Sequence, residues 1–90
     1  MKRSRLEMCI DVLQVIKEGC SKPTRIMYGS NTSWNPLCRI LEFLVGQGAV
    51  AFKTDGERKE YYITEKGEKI LEYYGQFKTM LTERTGSLRE

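Results

Sequence analysis

Pro23-Thr24-Arg25-Ile26-Met27-Tyr28-Gly29-Ser30-Asn31-Thr32-Ser33-Trp34-Asn35-Pro36-Leu37-Cys38-Arg39-Ile40-Leu41-Glu42-Phe43-Leu44 holds two helical patterns on either side of a short polar break. Pro23 pre-sets a first-turn backbone angle, and Ile26 and Met27 give the following turns an apolar side before Gly29-Ser30-Asn31 breaks the pattern. The spacing predicts a very short helix there. Ser33 can cap a second helix, in which Leu37, Leu41 and Leu44 recur at i, i+4 and i+7 and Pro36 falls in the tolerant first turn. Gly46 and Gly48 mark its end. A short helix, a tight glycine-containing turn and a longer capped helix are the local grammar of a helix-turn-helix.

On the N-terminal side, Ser4-Arg5-Leu6-Glu7 has the capping-box form, in which hydroxyl and carboxylate satisfy free N–H groups at a helix start. Leu6, Cys9 or Ile10, Leu13 and Ile16 then recur at helical spacing until Gly19, so a supporting helix of roughly four turns with these residues in the core is expected. On the C-terminal side, Ala49–Lys53 and Lys59–Ile63 are strand-like, and the Thr54-Asp55-Gly56-Glu57-Arg58 segment between them holds an Asp-Gly turn signal. A hairpin directly after a helix-turn-helix is a wing. Its tip would carry Lys53, Arg58 and Lys59 against Asp55 and Glu57.

Thr64 is placed to cap a last helix, along which Ile70, Tyr74, Phe77, Leu81 and Leu88 follow in steps of a heptad seam, with Arg84 interrupting. About twenty helical residues extend roughly 30 Å, farther than so small a domain covers with its own surface. The far end therefore calls for a second copy of the chain, the other reading being a helix folded back on its own domain through a kink at Gly75. Gly86 is read as the helix limit. The expected fold is mainly α with a small β-hairpin: a winged helix-turn-helix over residues 1–64, a dimerisation helix over 65–86 forming a coiled coil, and a frayed tail over 87–90.

The chain has 90 residues, enough for one core, and no apolar run approaches the roughly 18 residues of a membrane span. A soluble, cytoplasmic and nucleoid-associated protein is expected, with no membrane partner. Six basic residues (Lys2, Arg3, Arg5, Lys17, Lys22, Arg25) against Glu7, Asp11 and Glu18 place the whole net charge of +3 in the first third. That bias suits a polyanion, though a merely solvated surface accounts for it equally well. Cys9, Cys20 and Cys38 are widely spaced and the chain has no histidine, so neither a metal site nor a disulfide framework is expected, and Cys9 is placed in the core. Without histidine, a Gly-x-Ser-x-Gly motif or a phosphate loop, nothing supplies a tuned base beside a nucleophile; no enzyme and no cofactor are expected.

Lys22-Pro23-Thr24-Arg25-Ile26-Met27-Tyr28, Asn31-Thr32-Ser33-Trp34, Leu41-Glu42-Phe43-Leu44 and Tyr62-Ile63-Thr64-Glu65-Lys66-Gly67 together resemble the archaeal ArnR-like winged helix-turn-helix domains and the small archaeal coiled-coil chromatin-type proteins that share that domain. The Thr-Arg-Ile-Met-Tyr run is the specific part. The resemblance implies DNA binding and, from its coiled-coil members, dimerisation through an antiparallel pair of last helices. This chain departs from the pattern at Gly29, where members carry a basic or polar residue, at Thr32, where they carry leucine, and around Asn35, Pro36 and Cys38, where they carry lysines.

The partner expected is double-stranded DNA, with the helix of about 33–47 in the major groove and the wing of about 53–59 on the flanking backbone. Asn35 and Arg39 are the candidates for base edges, since Asn pairs with adenine and Arg with guanine; Asn35 is equally readable as a solvated side chain. Lys22, Thr24, Arg25, Ser30, Asn31 and Ser33 lie at helix starts or in the turn, where hydroxyls, guanidinium and N–H groups meet phosphates. Lys2, Arg3 and Arg5 offer backbone contacts from an N-terminal arm. Trp34, Tyr61, Tyr62, Tyr73 and Tyr74 are read as packing rather than stacking on bases. The competing function is a dimeric winged-helix adaptor for another protein. Either way, Ile70, Tyr74, Phe77 and Leu81 are the expected dimer contacts.

Overall fold

The capping box at Ser4 starts the first helix as its residues dictate. In the computed structural model, which describes residues 3–88 and side chains from Arg3 to Leu81, the Ser4 hydroxyl accepts from the Glu7 N–H at 3.1 Å and the Glu7 carboxylate accepts from the Ser4 N–H at 2.8 Å. Helix α1 (Arg5–Lys17) then runs to Gly19, whose φ of +114° turns the chain away. Two bonds close that end, from the Gly19 N–H to the Ile16 carbonyl and from the Cys20 N–H to the Val15 carbonyl.

Helices α2 (Pro23–Ser30) and α3 (Trp34–Gly46) follow, and both end in the same pair of bonds. In α3 the Gly48 and Ala49 N–H groups donate to Val45 and Leu44; in α2 Asn31 and Thr32 donate to Tyr28 and Met27. Asn31 adopts the left-handed conformation that Gly supplies elsewhere (φ +54°), which the short polar Asn tolerates better than other side chains. Strands β1 (Val50–Asp55) and β2 (Arg58–Ile63) pair antiparallel from Val50 opposite Ile63 to Asp55 opposite Arg58. The turn is therefore centred on Gly56-Glu57, one residue later than the Asp-Gly signal, with positive φ at Gly56 alone among its central pair. Only the base of the hairpin is buried, through Val50 and Tyr61; the rest projects as a wing.

The core is shared by all the helices and the hairpin base: Val12, Leu13, Ile26 and Leu37 are essentially inaccessible, joined by Cys9, Ile16, Leu41, Leu44, Val50 and Leu71. Three expectations change here. Leu6 is 61% exposed, so the apolar face of α1 is uncovered at its first turn among the described residues. Tyr62 and Tyr73 are also exposed, while Tyr61 is in the core. Leu71, outside the heptad spacing, is the residue through which α4 (Glu65–Leu88) enters the core, with Ile70 packed partly beside it.

Helix α4 continues through Gly75 and past Gly86 to Leu88, since one helical glycine costs only about 1 kcal/mol. Its start is held to the wing base. Thr64 accepts the Gly67 N–H on its hydroxyl at 3.1 Å, donates that hydroxyl to the Gly48 carbonyl at 2.6 Å, and donates its own N–H to the Ala49 carbonyl. Gly67 is the residue that allows this contact, because a Cβ there would lie 2.2 Å from the Ala49 carbonyl oxygen and 2.6 Å from Ile63 Cγ1. Gly67→Ala is expected to destabilise the domain by about 2 kcal/mol or more, lowering the melting temperature by roughly 10 °C in a circular-dichroism melt; an unchanged melt would show that the junction yields freely.

Candidate nucleic-acid interface

Four helix starts lie in the fold, and they differ in what meets their free N–H groups. Helix α1 carries Glu7 in its first turn with a full capping box, and α4 carries Glu65 and Glu68 behind the Thr64 cap. Helices α2 and α3 have no acidic residue in the first turn and no side-chain cap bond. Ser33 does stand at the cap position of α3, but its side chain makes no cap bond. The N-terminal N–H groups and positive dipole ends of the helix-turn-helix are therefore open to an outside anion.

The wing is drawn to these two starts by a backbone bond, from the Tyr61 N–H to the Ser21 carbonyl at 2.8 Å. As a result Lys22 and Thr24 at the start of α2, Trp34 at the start of α3, and Arg58 and Lys59 on β2 line one cleft of about 420 Å³. Glu57 and Glu60 line it too, so its charge is mixed. Trp34, 48% exposed, also lines the adjoining cleft between α3 and the wing, with Cys38, Glu42, Phe52 and Tyr61. It is thus a half-open wall and not a packed core residue. Lys59 holds its ammonium 4.6 Å from the Phe52 ring centroid, and Phe52 in turn lies against Tyr61 at 5.7 Å. Burial pushes the Tyr61 phenol above its ordinary range, with the nearby Cys38 thiol adding to the shift.

Arg25, Asn31, Asn35, Arg39 and Lys53 are all exposed, as are Lys22, Thr24, Ser33, Arg58 and Lys59. Lys53 stands opposite Glu60 in the hairpin ladder. Ser30 departs from the expectation. It is buried, and its hydroxyl donates to the Ile26 carbonyl at 2.6 Å and lies 3.0 Å from Thr32 Oγ1, so its side chain is spent inside the turn. Thr32 is buried alongside and donates to the Ser30 carbonyl. Arg3 completes this polar knot: its guanidinium donates to Asp11 at 2.6 Å, to the Ser30 carbonyl at 2.8 Å and to the Asn31 carbonyl at 2.6 Å. It caps the C-terminal end of α2 and clips that helix to α1, in place of serving as a free arm. Arg5, though exposed, lies over the Phe43 ring and not in a free arm, while Lys2 lies outside the described residues.

Two exposed residues on this side escaped the sequence reading. Tyr28 is 78% exposed, one helical turn beyond Arg25, and that i+3 spacing was the available signal. Glu42 lines the cleft one turn beyond Arg39, among the leucines that dominate the α3 pattern. Among the described residues, no group of three or more Cys, Asp or Glu side chains is placed to hold a metal ion, and no helix is long and apolar enough to cross a membrane.

A family described as winged helix-turn-helix matches residues 2–82. An uncharacterized protein of Methanocaldococcus jannaschii is 33% identical over 69 residues, which span 77% of this chain and 67% of that one. Sso10a-2, a DNA-binding protein from Sulfolobus solfataricus, superposes with a TM-score of 0.84 at 29% identity, covering 97% of this chain and 90% of that one. A PadR family transcription regulator from Clostridium difficile shares the fold at a TM-score of 0.81 and 12% identity, over 92% of this chain and 98% of that one.

Arg3→Ala is expected to lower the unfolding free energy by about 1–2 kcal/mol, since it takes the guanidinium from the Asn31 carbonyl, leaves the Ser30 carbonyl to Thr32 alone and removes a partly exposed ion pair. Urea denaturation measures this; an unaltered midpoint would show that the knot contributes nothing.

Proposed function

Because the chain belongs to the winged helix-turn-helix family, we propose that it binds double-stranded DNA, as a transcriptional regulator or a chromatin-associated protein. The observation that carries this reading is the pair of uncapped, acid-free helix starts at α2 and α3, bordered by Lys22, Thr24, Arg25, Ser33, Arg58 and Lys59. A phosphate meets N–H groups, hydroxyls and cations there together. In this reading Asn35 and Arg39 on α3 face base edges in the major groove, Asn31 and the turn lie on one strand's backbone, and Lys53, Arg58 and Lys59 place the wing on the flanking phosphates. Recognition falls more to hydrogen bonds and shape than to charge, because Arg39 is the only basic residue of α3. The likeness to Sso10a-2, a DNA-binding protein, supports the same assignment. So does the ArnR-like pattern of the sequence.

The protein acts in this proposal as a homodimer. Helix α4 has 24 residues, about 36 Å at 1.5 Å per residue, and along it Tyr73, Phe77, Met80 and Leu81 are exposed beyond the domain. Tyr74, Phe77 and Leu81, continued by Ile70 at the domain's edge, form the dimer contacts in an antiparallel coiled coil. The pairing would hold two winged domains at opposite ends of one rod, each on its own stretch of duplex. Phe77→Asp is expected to halve the mass measured by light scattering while preserving the circular-dichroism spectrum of the folded domain; an unchanged mass would remove the coiled coil from the reading.

A dimeric protein adaptor is the second reading, and one observation favours it: the cleft between α3 and the wing carries Glu42 and Glu57 beside Trp34 and Phe52, a lining suited to a basic, apolar peptide. Salt separates the two. Fluorescence anisotropy with random-sequence duplex should show binding that weakens about a hundredfold or more between 50 and roughly 200 mM salt, and Arg25→Ala and Arg39→Ala should each weaken it about five- to tenfold. No binding at low salt to random or genomic duplex would overturn the proposal and leave the adaptor.

A further inference from the structure

Away from the wing, the first turns of α1, the last turns of α3 and the first turns of α4 enclose a groove of about 400 Å³. Its floor is core: Cys9, Leu13 and Leu44. Its walls are Leu6, Phe43 and Ile70, of which Leu6 and Phe43 leave 61% and 44% of their surface to water. Two large apolar side chains held open at the mouth of an apolar groove mark a surface suited to an apolar body.

The charges around that body have one sign. Arg5 and Lys66 line the groove, and among the described residues no carboxylate does. Both cations are held in place. The Arg5 guanidinium lies 5.6 Å from the Phe43 ring centroid, and the Lys66 ammonium donates to the Gln47 carbonyl at 2.5 Å, at the C-terminal end of α3. Burial raises the Cys9 thiol above its ordinary range against the opposing pull of Arg5, so the floor stays neutral while a fixed cation stands close above it.

We propose that this groove binds a small apolar monocarboxylate, an aliphatic or aryl acid of about eight to ten carbons, with its body on Leu6, Leu13, Phe43 and Ile70 and its carboxylate met by Arg5 and Lys66. An uncharged apolar molecule leaves both cations unused, and an alkylammonium is repelled by them. A phosphate or dicarboxylate forfeits most of the apolar surface. None of the groove residues belongs to the set assigned to DNA, so failure of the DNA reading leaves this site standing; Ile70 is shared with the proposed coiled-coil seam.

The test is a two-dimensional amide NMR titration of the full chain with octanoate, beside octylammonium and octanol as probes of the same length. Octanoate should give saturable shifts centred on Leu6, Phe43, Gln47 and Ile70, with both controls at least tenfold weaker. Arg5→Gln, at an exposed position, should weaken octanoate about tenfold while the thermal melt stays cooperative, and Arg5→Gln/Lys66→Gln should weaken it further. If the double variant does not fold, the single variant decides. Control probes binding as tightly as octanoate, unchanged affinity in Arg5→Gln, shifts centred on Phe77 and Met80, or no saturable shift up to about 10 mM octanoate would each overturn the site. The last is also the outcome of a groove covered by a second copy.

Discussion

The contact of Thr64 and Gly67 with the segment Gly48-Ala49 is the constraint on which the arrangement of this molecule depends. One hydroxyl serves two purposes there, capping α4 and bonding the Gly48 carbonyl, while the Thr64 N–H bonds the neighbouring Ala49 carbonyl. The same short segment is the exit from α3, where Gly48 and Ala49 satisfy the last α3 carbonyls. The end of α3, the base of the wing and the start of the long helix are thus locked to one another through a few backbone groups. A side chain at position 67 would force them apart, because its first carbon would sit well inside van der Waals contact distance of the Ala49 oxygen. Any displacement of α4 is therefore felt at the end of α3, and the reverse.

The distribution of caps divides the fold into parts that are finished internally and parts that are not. Helices α1 and α4 satisfy their own starts with hydroxyls and carboxylates, as befits scaffolding. Helices α2 and α3 have the careful C-terminal closures of the rest of the chain but leave their starts open. The polar knot of Arg3, Asp11, Ser30 and Thr32 explains how the turn between them keeps its shape without help from a ligand. It also shows how Thr32 is accommodated in the interior: its hydroxyl is paired with the Ser30 carbonyl and hydroxyl, and a buried hydroxyl is tolerated only when it is bonded. Gly29 fits the same packing, since a Cβ there would lie 2.8 Å from Val15 Cγ1.

Local chemistry explains why so much of the fold could be read in advance. The capping box, the turn glycines, the Thr64 cap and the hairpin are set by neighbours within four or five residues, and every one of those elements is present, with the hairpin turn displaced by one residue. Readings that depended on distant partners fared differently. Arg3 is 27 and 28 positions from the carbonyls it caps, and nothing near it in the chain distinguishes it from a basic arm. Ser30 resembled a phosphate contact because of its place in the turn, yet its neighbours Ile26 and Thr32 take its hydroxyl. Leu6 follows the α1 periodicity faithfully and is nevertheless exposed, since periodicity names a face without saying how far along the helix that face is covered. The tyrosines divide for the same reason: Tyr61 lies at the buried hairpin base, whereas Tyr62 points to the other side of the same strand.

Helix α4 joins these themes, because it is a core element at one end and a projecting rod at the other. Leu71 and Ile70 commit its first turns to the domain, while Tyr73, Phe77, Met80 and Leu81 farther along are exposed. Its first turns carry Lys66 and Ile70 against the groove floored by α1, and Lys66 bonds the last turn of α3 directly. The groove and the junction between α3 and α4 thus share Lys66, and α3 is positioned at its C-terminal end, away from its open start.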